Sequence, residues 1–204
     1  MGAAEMDLVT AILTRRSEHF LTDPAPSDDE FADLLRAAAA APDHGMLRPW
    51  RWILVRHTER HALGECFAAD AGAERPDEPA TEVATRVAAK VLRAPLLATL
   101  VFQPRLGHRI PEWEQLAATS SMSHALMLLL HARGYGSIWR TGAFVASPTA
   151  RQMLGLHQDE RLLGWLYIGT PPRDRALQPR VVQDVTDRLS SFRLTEVAAA
   201  RRHP

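Results

Sequence analysis

The chain has 204 residues, 46% of them apolar, and its 24 Lys+Arg balance 24 Asp+Glu, so the formal net charge is zero. That length and apolar content fit one domain with a sizeable core, while neutrality argues against bulk attraction to nucleic acid or to an acidic membrane. A single cysteine, Cys66, excludes an intramolecular disulfide and a cysteine-rich metal site.

Further exclusions come from the segments themselves. The first residues lack the basic start and apolar run of a secretory signal, and Met6 stands where a myristoylation site needs Ser or Thr. The apolar runs at Pro95–Phe102 and Ala125–Leu130 are too short to span a bilayer. A soluble protein of the cytoplasm is expected.

In chain order, Asp7–Thr14 reads as a short helix with Leu8, Ile12 and Leu13 on one side. Ser27 and Glu30 form a capping box that opens a helix carrying Phe31, Leu34 and Leu35, with alanines running to Ala41 and Pro42 as its stop. Trp50–Val55 is a strand, rich in aromatic and branched residues. A helix is expected from Thr58 to about Ala69, a Pro-rich loop over Gly72–Pro79, and a helix over about Glu82–Leu92. Pro95–Phe102 is a second strand and Gly107–Pro111 a loop.

Glu112–Arg133 is the longest helical pattern, apolar nearly all round from Met122 to Leu130, which predicts burial. Gly134 is its stop, and an extended Gly136–Trp139 follows. Ser147 caps a helix to about Leu154, and Leu162–Ile168 is a third strand. The remainder is polar and reads as an extended arm, with a frayed helix over Thr195–Arg202. Mixed strands and helices without regular alternation point to a helix-rich α+β domain.

Three tempting motifs carry little. His57-Thr-Glu-Arg-His61 places two histidines four apart, but the glutamate of the zinc-protease pattern comes one residue late, so a solvated helix face is the better reading and no metal is expected. Gly134-Tyr-Gly136 lacks the third glycine of a dinucleotide fingerprint and follows a helix instead of a strand. Ser120, Ser121, Ser123 and His124 fall in the apolar helix, where a nucleophile would be buried.

Three separated segments make sense together. Arg15-Arg16-Ser17 offers two guanidinium groups and a hydroxyl suited to a phosphate, although such a triplet also fits a solvated helix end. Ala41-Pro-Asp-His-Gly-Met-Leu-Arg-Pro-Trp50 is a shaped polar loop running into a strand, the kind of loop that carries binding residues or simply turns the chain. Gly134–Gly142 ends in Trp139-Arg140-Thr141-Gly142, whose glycines would let backbone amides approach a flat ligand.

With Gly164-Trp-Leu-Tyr-Ile-Gly-Thr-Pro171, these four motifs occur in an order and spacing that resembles the nitroreductase family, and within it the short, compact subgroup of NAD(P)H nitroreductases. The match runs from about Asp7 to Pro172. The resemblance implies an α+β fold with a central mixed, largely antiparallel sheet wrapped by helices. It implies a single domain over 1–204 whose C-terminal arm, 173–204, is exchanged in a homodimer with two FMN molecules at its interface.

The resemblance also assigns residues. Arg15, Arg16 and Ser17 would hold the phosphate and ribityl end, and Ala40 and His44 would reach FMN from the neighbouring subunit. Trp139, Arg140, Thr141 and Gly142 would flank the isoalloxazine, with the amide of Thr141 or Gly142 near N5. Leu129, Leu130, His131, Ala132, Arg133 and Gly134 match a segment assigned to NAD(P)H in relatives, although Leu129 and Leu130 also read as core. Arg15, His19 and Arg140 are candidates for a cation near N1 and O2, His19 only when protonated.

The chain departs from the family pattern at Met46 and Arg48, where many relatives carry Asn and Gln; at Ala40, an arginine in some; and at His19, a lysine in larger ones. Arg173 or Arg175 is the candidate for the basic C-terminal phosphate ligand of some relatives. The implied activity is hydride transfer from NADH or NADPH through flavin to a nitroaromatic or quinone-like acceptor by a ping-pong scheme. The alternatives are a flavin-binding module without turnover and a specialised dehydrogenase or flavin-fragmenting enzyme. Neither a membrane nor nucleic acid is an expected partner.

Overall fold

The computed structural model of the chain describes residues 6–74, 79–172 and 178–192. The expected helix over Thr195–Arg202 and the ligand candidates Arg173 and Arg175 lie outside them.

Among the described residues six α-helices and four strands are formed: α1 Leu8–Thr14, α2 Asp28–Ala38, β1 Trp50–Val55, α3 Glu59–Glu74, α4 Ala80–Val91, β2 Leu96–Phe102, α5 Glu112–Ala132, β3 Gly136–Arg140, α6 Pro148–Met153 and β4 Arg161–Gly169. The strands make one sheet in the order β1-β2-β4-β3, with every neighbouring pair antiparallel. A parallel bridge between Ser17 and Ser137 adds the segment after α1 to the free edge of β3.

The alternation of side chains along the central strands divides the core in two. Leu96, Ala98 and Leu100 of β2, with Leu166 and Ile168 of β4, pack against Phe31 and Leu34 of α2 and Met122, Leu126 and Leu130 of α5. Leu97 of β2, with Trp165 and Tyr167 of β4, faces Leu63 and Phe67 of α3 and Val83, Val87 and Val91 of α4. Burial on both faces explains why β2 reads as an unbroken apolar run.

Several boundaries differ from expectation, each for a local reason. The Ser27 hydroxyl accepts from the Glu30 amide, but the Glu30 carboxylate does not return the bond; it accepts from the Tyr135 hydroxyl at 2.7 Å. Burial and that carboxylate push the Tyr135 phenol up to about 12. Helix α2 ends at Ala38, not Ala41, because Ala40 and Ala41 close tighter three-residue turns onto Ala37 and Ala38. Helix α3 continues through Gly72 to Glu74 where a loop was expected. His57 precedes α3 in a left-handed conformation, so it does not share a helix face with His61.

The largest correction concerns α5. Its burial is one-sided: Met122, Ser123, Leu126 and Leu130 are buried, whereas Ser120, Ser121 and His124 are exposed and Trp113 is 70% exposed. One face of α5 is therefore open to solvent in the single chain.

Glu160 closes the turn before β4. Its carboxylate accepts from Arg51 Nε at 2.8 Å and Nη2 at 2.7 Å, from Gln103 Nε2 at 2.5 Å and from the His157 amide at 3.0 Å. The Arg51 bonds, opposed by burial and assisted by His157 and Gln103, hold this carboxyl at about 2, well below its ordinary 4.5. A carboxylate with a depressed folded value stabilises the fold fully above its unfolded value; that contribution is lost as pH falls through about 2. Acid titration from pH 5 to 2 should therefore destabilise the protein by roughly 2–3 kcal/mol through this group. In Glu160→Gln, thermal melts across the same range should show a shallower acid limb.

Candidate functional site

Strand β4 carries a bulge: Leu100 pairs with Gly164 and Val101 with Leu162, leaving Leu163 unpaired. Gly164 takes φ +116, and a Cβ there would lie 2.3 Å from the Arg140 carbonyl and 3.1 Å from Trp139 Nε1. The freed Leu163 carbonyl accepts from Trp139 Nε1 at 2.9 Å. One backbone irregularity thus aims both Trp139 and Arg140 at the end of β3.

The early arginines arrive at the same edge. Helix α1 is capped by Asp7, whose side chain accepts from the Thr10 amide, and ends at Arg15. The chain then runs alongside β3: Ser17 bridges Ser137, and the Glu18 amide donates to the Ser137 carbonyl at 3.2 Å. Two residues later, His19 Nδ1 lies 3.1 Å from Arg140 Nη2. Segments some 120 positions apart in sequence therefore lie side by side, and the first and third motifs share one edge.

This edge is positive. Arg15 is half-buried, and its guanidinium sits below its ordinary value because of burial first, then the charges of Arg180 and Arg16. A guanidinium stays protonated nonetheless, so like charges are held together here. Arg16 Nη1 donates to the Leu13 carbonyl at 2.8 Å, and its Nη2 to the Gln178 carbonyl at 2.7 Å. The Arg180 amide donates to the Leu13 carbonyl at 2.9 Å. At the end of α5, His131 Nε2 lies 2.8 Å from the Thr14 hydroxyl, and burial and Arg15 lower its value below the ordinary 6.5.

Arg180 is the basic residue that sequence reasoning missed. Arg173 and Arg175 lie outside the described residues, and within them 178–180 is where the arm returns to α1. Only the Pro179-Arg180 pair hinted at a fixed basic residue there.

The second motif lies elsewhere. Its loop is organised by Asp43, whose carbonyl accepts from the Met46 amide and whose carboxylate accepts from the Arg48 amide at 2.7 Å. Met46 and Arg48 both take positive φ, and Met46 is 82% exposed. His44 Nδ1 contacts Glu114 Oε2 at 2.8 Å, in the first turn of α5, and Ala40 is exposed. Arg15 and His131 sit at the opposite end of α5. The rise of a helix separates Glu114 from His131 by about 25 Å, so His44 and Arg15 of one chain do not meet.

The Leu129–Gly134 segment borders a third region. Leu129, Ala132, Arg133 and Gly134 line a groove with Met6, Leu8, Ala11 and Ala37, whereas Leu130 is fully buried in the core and His131 turns to Thr14.

The turn after β3 is open. Gly142 takes φ +90, and a Cβ there would meet nothing within 4 Å. Thr141, Gly142 and Ala143 are exposed, and Nε of Arg140 is buried without a partner. An exposed backbone beside an orphaned guanidinium donor fits a flat, electron-rich ligand.

Comparison with known proteins points to one family. The profile of the nitroreductase family matches residues 12–170. The Escherichia coli (strain K12) protein named "Putative NAD(P)H nitroreductase YdjA" is 32% identical over 166 residues, covering 81% of this chain and 89% of that protein. The Bacillus subtilis protein named "Putative NAD(P)H nitroreductase YfhC" is 32% identical over 184 residues, covering 89% and 92%. Among solved structures, a nitroreductase-like family protein from Bacillus cereus superposes with a TM-score of 0.77 at 23% identity, over 94% of this chain and 99% of that one. The FMN and NADPH-dependent nitroreductase NfnB from Sphigopyxis sp. strain HMH gives 0.68 at 23% identity, over 92% and 99%.

Proposed function

Because this chain belongs to the nitroreductase family of oxidoreductases, we propose that it is an FMN-dependent homodimer that takes electrons from NADH or NADPH and passes them to a nitroaromatic or quinone-like acceptor. The observation that carries the reading is the cluster of half-buried Arg15 and Arg16 with exposed Arg180, on the same sheet edge as the open Trp139–Gly142 turn. Arg16 and Arg180 both act on Arg15 against the carboxylate of Glu18, and a bound phosphate relieves the repulsion that the excess of positive charge stores.

Arg15 and Ser17 bind the phosphate and ribityl end, with Arg16 holding the arm that carries Arg180. The amide of Thr141 or Gly142 would hold the ring near N5, and Arg140 would supply positive charge to balance the negative charge that develops on the reduced ring. Bound there, FMN supplies a ping-pong hydride relay between nicotinamide and acceptor. No side chain is required as a general base, so the residues position the ring, balance its charge and exclude water.

The homodimer follows from the open face of α5. Trp113, Ala117, Ser120, Ser121 and His124 recur at helical spacing along it, all exposed. The arm adds Val181, 90% exposed, and Phe192, 78% exposed, an apolar load unsuited to a lone chain. Antiparallel pairing of α5 about a two-fold axis lays the N-terminal end of one copy beside the C-terminal end of the other. That arrangement would bring His44 of the partner subunit across the 25 Å or so that separates His44 from Arg15 within a chain.

Arg15→Ala removes a charge-assisted phosphate contact and should weaken FMN binding by about 1.5–3 kcal/mol, roughly ten- to a hundredfold. Flavin fluorescence titration of the apoprotein measures this directly; an unchanged dissociation constant removes Arg15 from the site. Initial rates at several fixed acceptor concentrations should give parallel double-reciprocal lines, and intersecting lines would rule out the ping-pong order.

A further inference from the structure

A cavity of about 520 Å³ opens beside the Trp139–Gly142 turn, on the α3–α4 side of the sheet. Its floor is aromatic and apolar: Phe67, Ile138, Phe144, Trp165 and Tyr167. Phe67 and Phe144 stack at 4.3 Å with nearly parallel rings, and Trp165 meets Phe67 edge-on at 4.9 Å. Its rim is cationic. Lys90 and Arg93 from the end of α4 line it, together with Arg140 and Arg86, and no carboxylate lines it among the described residues. Lys90 Nζ stands 5.5 Å from the centre of the Phe144 ring, and the Arg140 guanidinium 5.6 Å from that of Tyr167, so both charges are held over π faces. Two lining residues also keep buried donors without partners, Trp165 Nε1 and Arg140 Nε.

We propose that this cavity is the acceptor pocket and that it selects flat aromatic or quinonoid acceptors bearing an anionic substituent, with Lys90 and Arg93 reading the charge. The inference rests on the flavoenzyme reading, because the cavity shares Arg140, Thr141 and Gly142 with the proposed flavin site. A planar apolar body matches the aromatic floor, and a carboxylate or sulfonate matches a rim of one sign. A neutral acceptor of the same shape fills the floor but offers no charge to Lys90 and Arg93. Selectivity then arises from α4, an element that contributes nothing to the Arg15 cluster.

The test compares matched acceptors: 4-nitrobenzoate against 4-nitrobenzamide, and a naphthoquinone sulfonate against the unsulfonated quinone. The wild-type enzyme should favour the anionic member of each pair in kcat/KM by about three- to tenfold at low salt, the size expected for two partly exposed cations. The preference should shrink as ionic strength rises. In Lys90→Ala/Arg93→Ala the ratio should fall to near one, through KM for the anionic member. A ratio near one in the wild type, or one unmoved by the double substitution, overturns the inference. Calorimetric titration of 4-nitrobenzoate into the purified protein separates the two claims. A protein that holds no flavin but binds 4-nitrobenzoate more tightly than the amide refutes the flavoenzyme reading and keeps the anion-selective cavity. A protein that turns over with FMN but shows no charge preference does the reverse.

Discussion

Gly164→Ala should lower the stability of the chain by about 3–4 kcal/mol, the sum of left-handed strain and overpacking against backbone. For a protein of this size that is a fall in Tm on the order of 10 °C. The reason is local and steric. The new methyl would sit 2.3 Å from the carbonyl oxygen of Arg140, and neither atom is the end of a flexible side chain. Either β4 abandons its bulge, which withdraws the Leu163 carbonyl from Trp139, or the end of β3 moves away and takes Arg140 with it. Both outcomes spoil the turn proposed to hold the flavin ring, so FMN affinity should fall together with Tm. Differential scanning fluorimetry with and without FMN reads the two effects. A variant that melts within a degree or two of wild type and binds FMN normally would show that the bulge does not shape the site.

If the proposed homodimer pairs through α5, Ser121→Arg should convert it to a monomer and, with it, weaken FMN binding. Ser121 lies on the exposed face near the midpoint of α5. At the centre of an antiparallel two-fold pair a residue faces its own copy, so a single substitution introduces two like charges at one point. Such juxtaposition costs several kcal/mol, which raises the dimer dissociation constant by about a hundred- to a thousandfold. The side chain is exposed within the chain, so far-UV circular dichroism should not change. Sedimentation velocity should show the shift in mass, and flavin content should drop because the site proposed to draw on the partner subunit would be incomplete. A variant that stays dimeric places the interface on another face. One that becomes monomeric yet keeps FMN at full occupancy shows that one chain holds the cofactor alone.

Much of this architecture is legible in the sequence because the governing signals are local. Trp50–Val55 and β2 declare themselves through apolar and branched runs, and the Ser27 and Ser147 hydroxyls cap their helices as the spacing requires. What escapes is set by distant partners. Glu30 has the right spacing to complete a capping box, yet Tyr135, 105 residues on, takes its carboxylate instead. The continuous apolar pattern of α5 cannot distinguish burial within a chain from burial between chains, so Ser121 and His124 read as core and emerge exposed. At the site, composition flags Arg15 and Arg140, but their convergence depends on a parallel bridge from Ser17 to Ser137 that no local pattern encodes. Arg180 is hard to read for the same reason: its amide donates to the Leu13 carbonyl and its guanidinium to the Arg15 carbonyl, both more than 160 positions away. The cationic rim of α4 reads in one dimension as an ordinary solvated helix face and acquires meaning only above Phe144 and Trp165.

Anaerobic titration of the purified protein with NADH and then NADPH, followed by visible absorbance, tests the flavoenzyme account most directly. The account predicts a yellow protein with about one FMN per chain, bleached by at least one of the two nicotinamides and recoloured when an acceptor is added. A colourless protein that takes up no FMN and oxidises neither nicotinamide would contradict it.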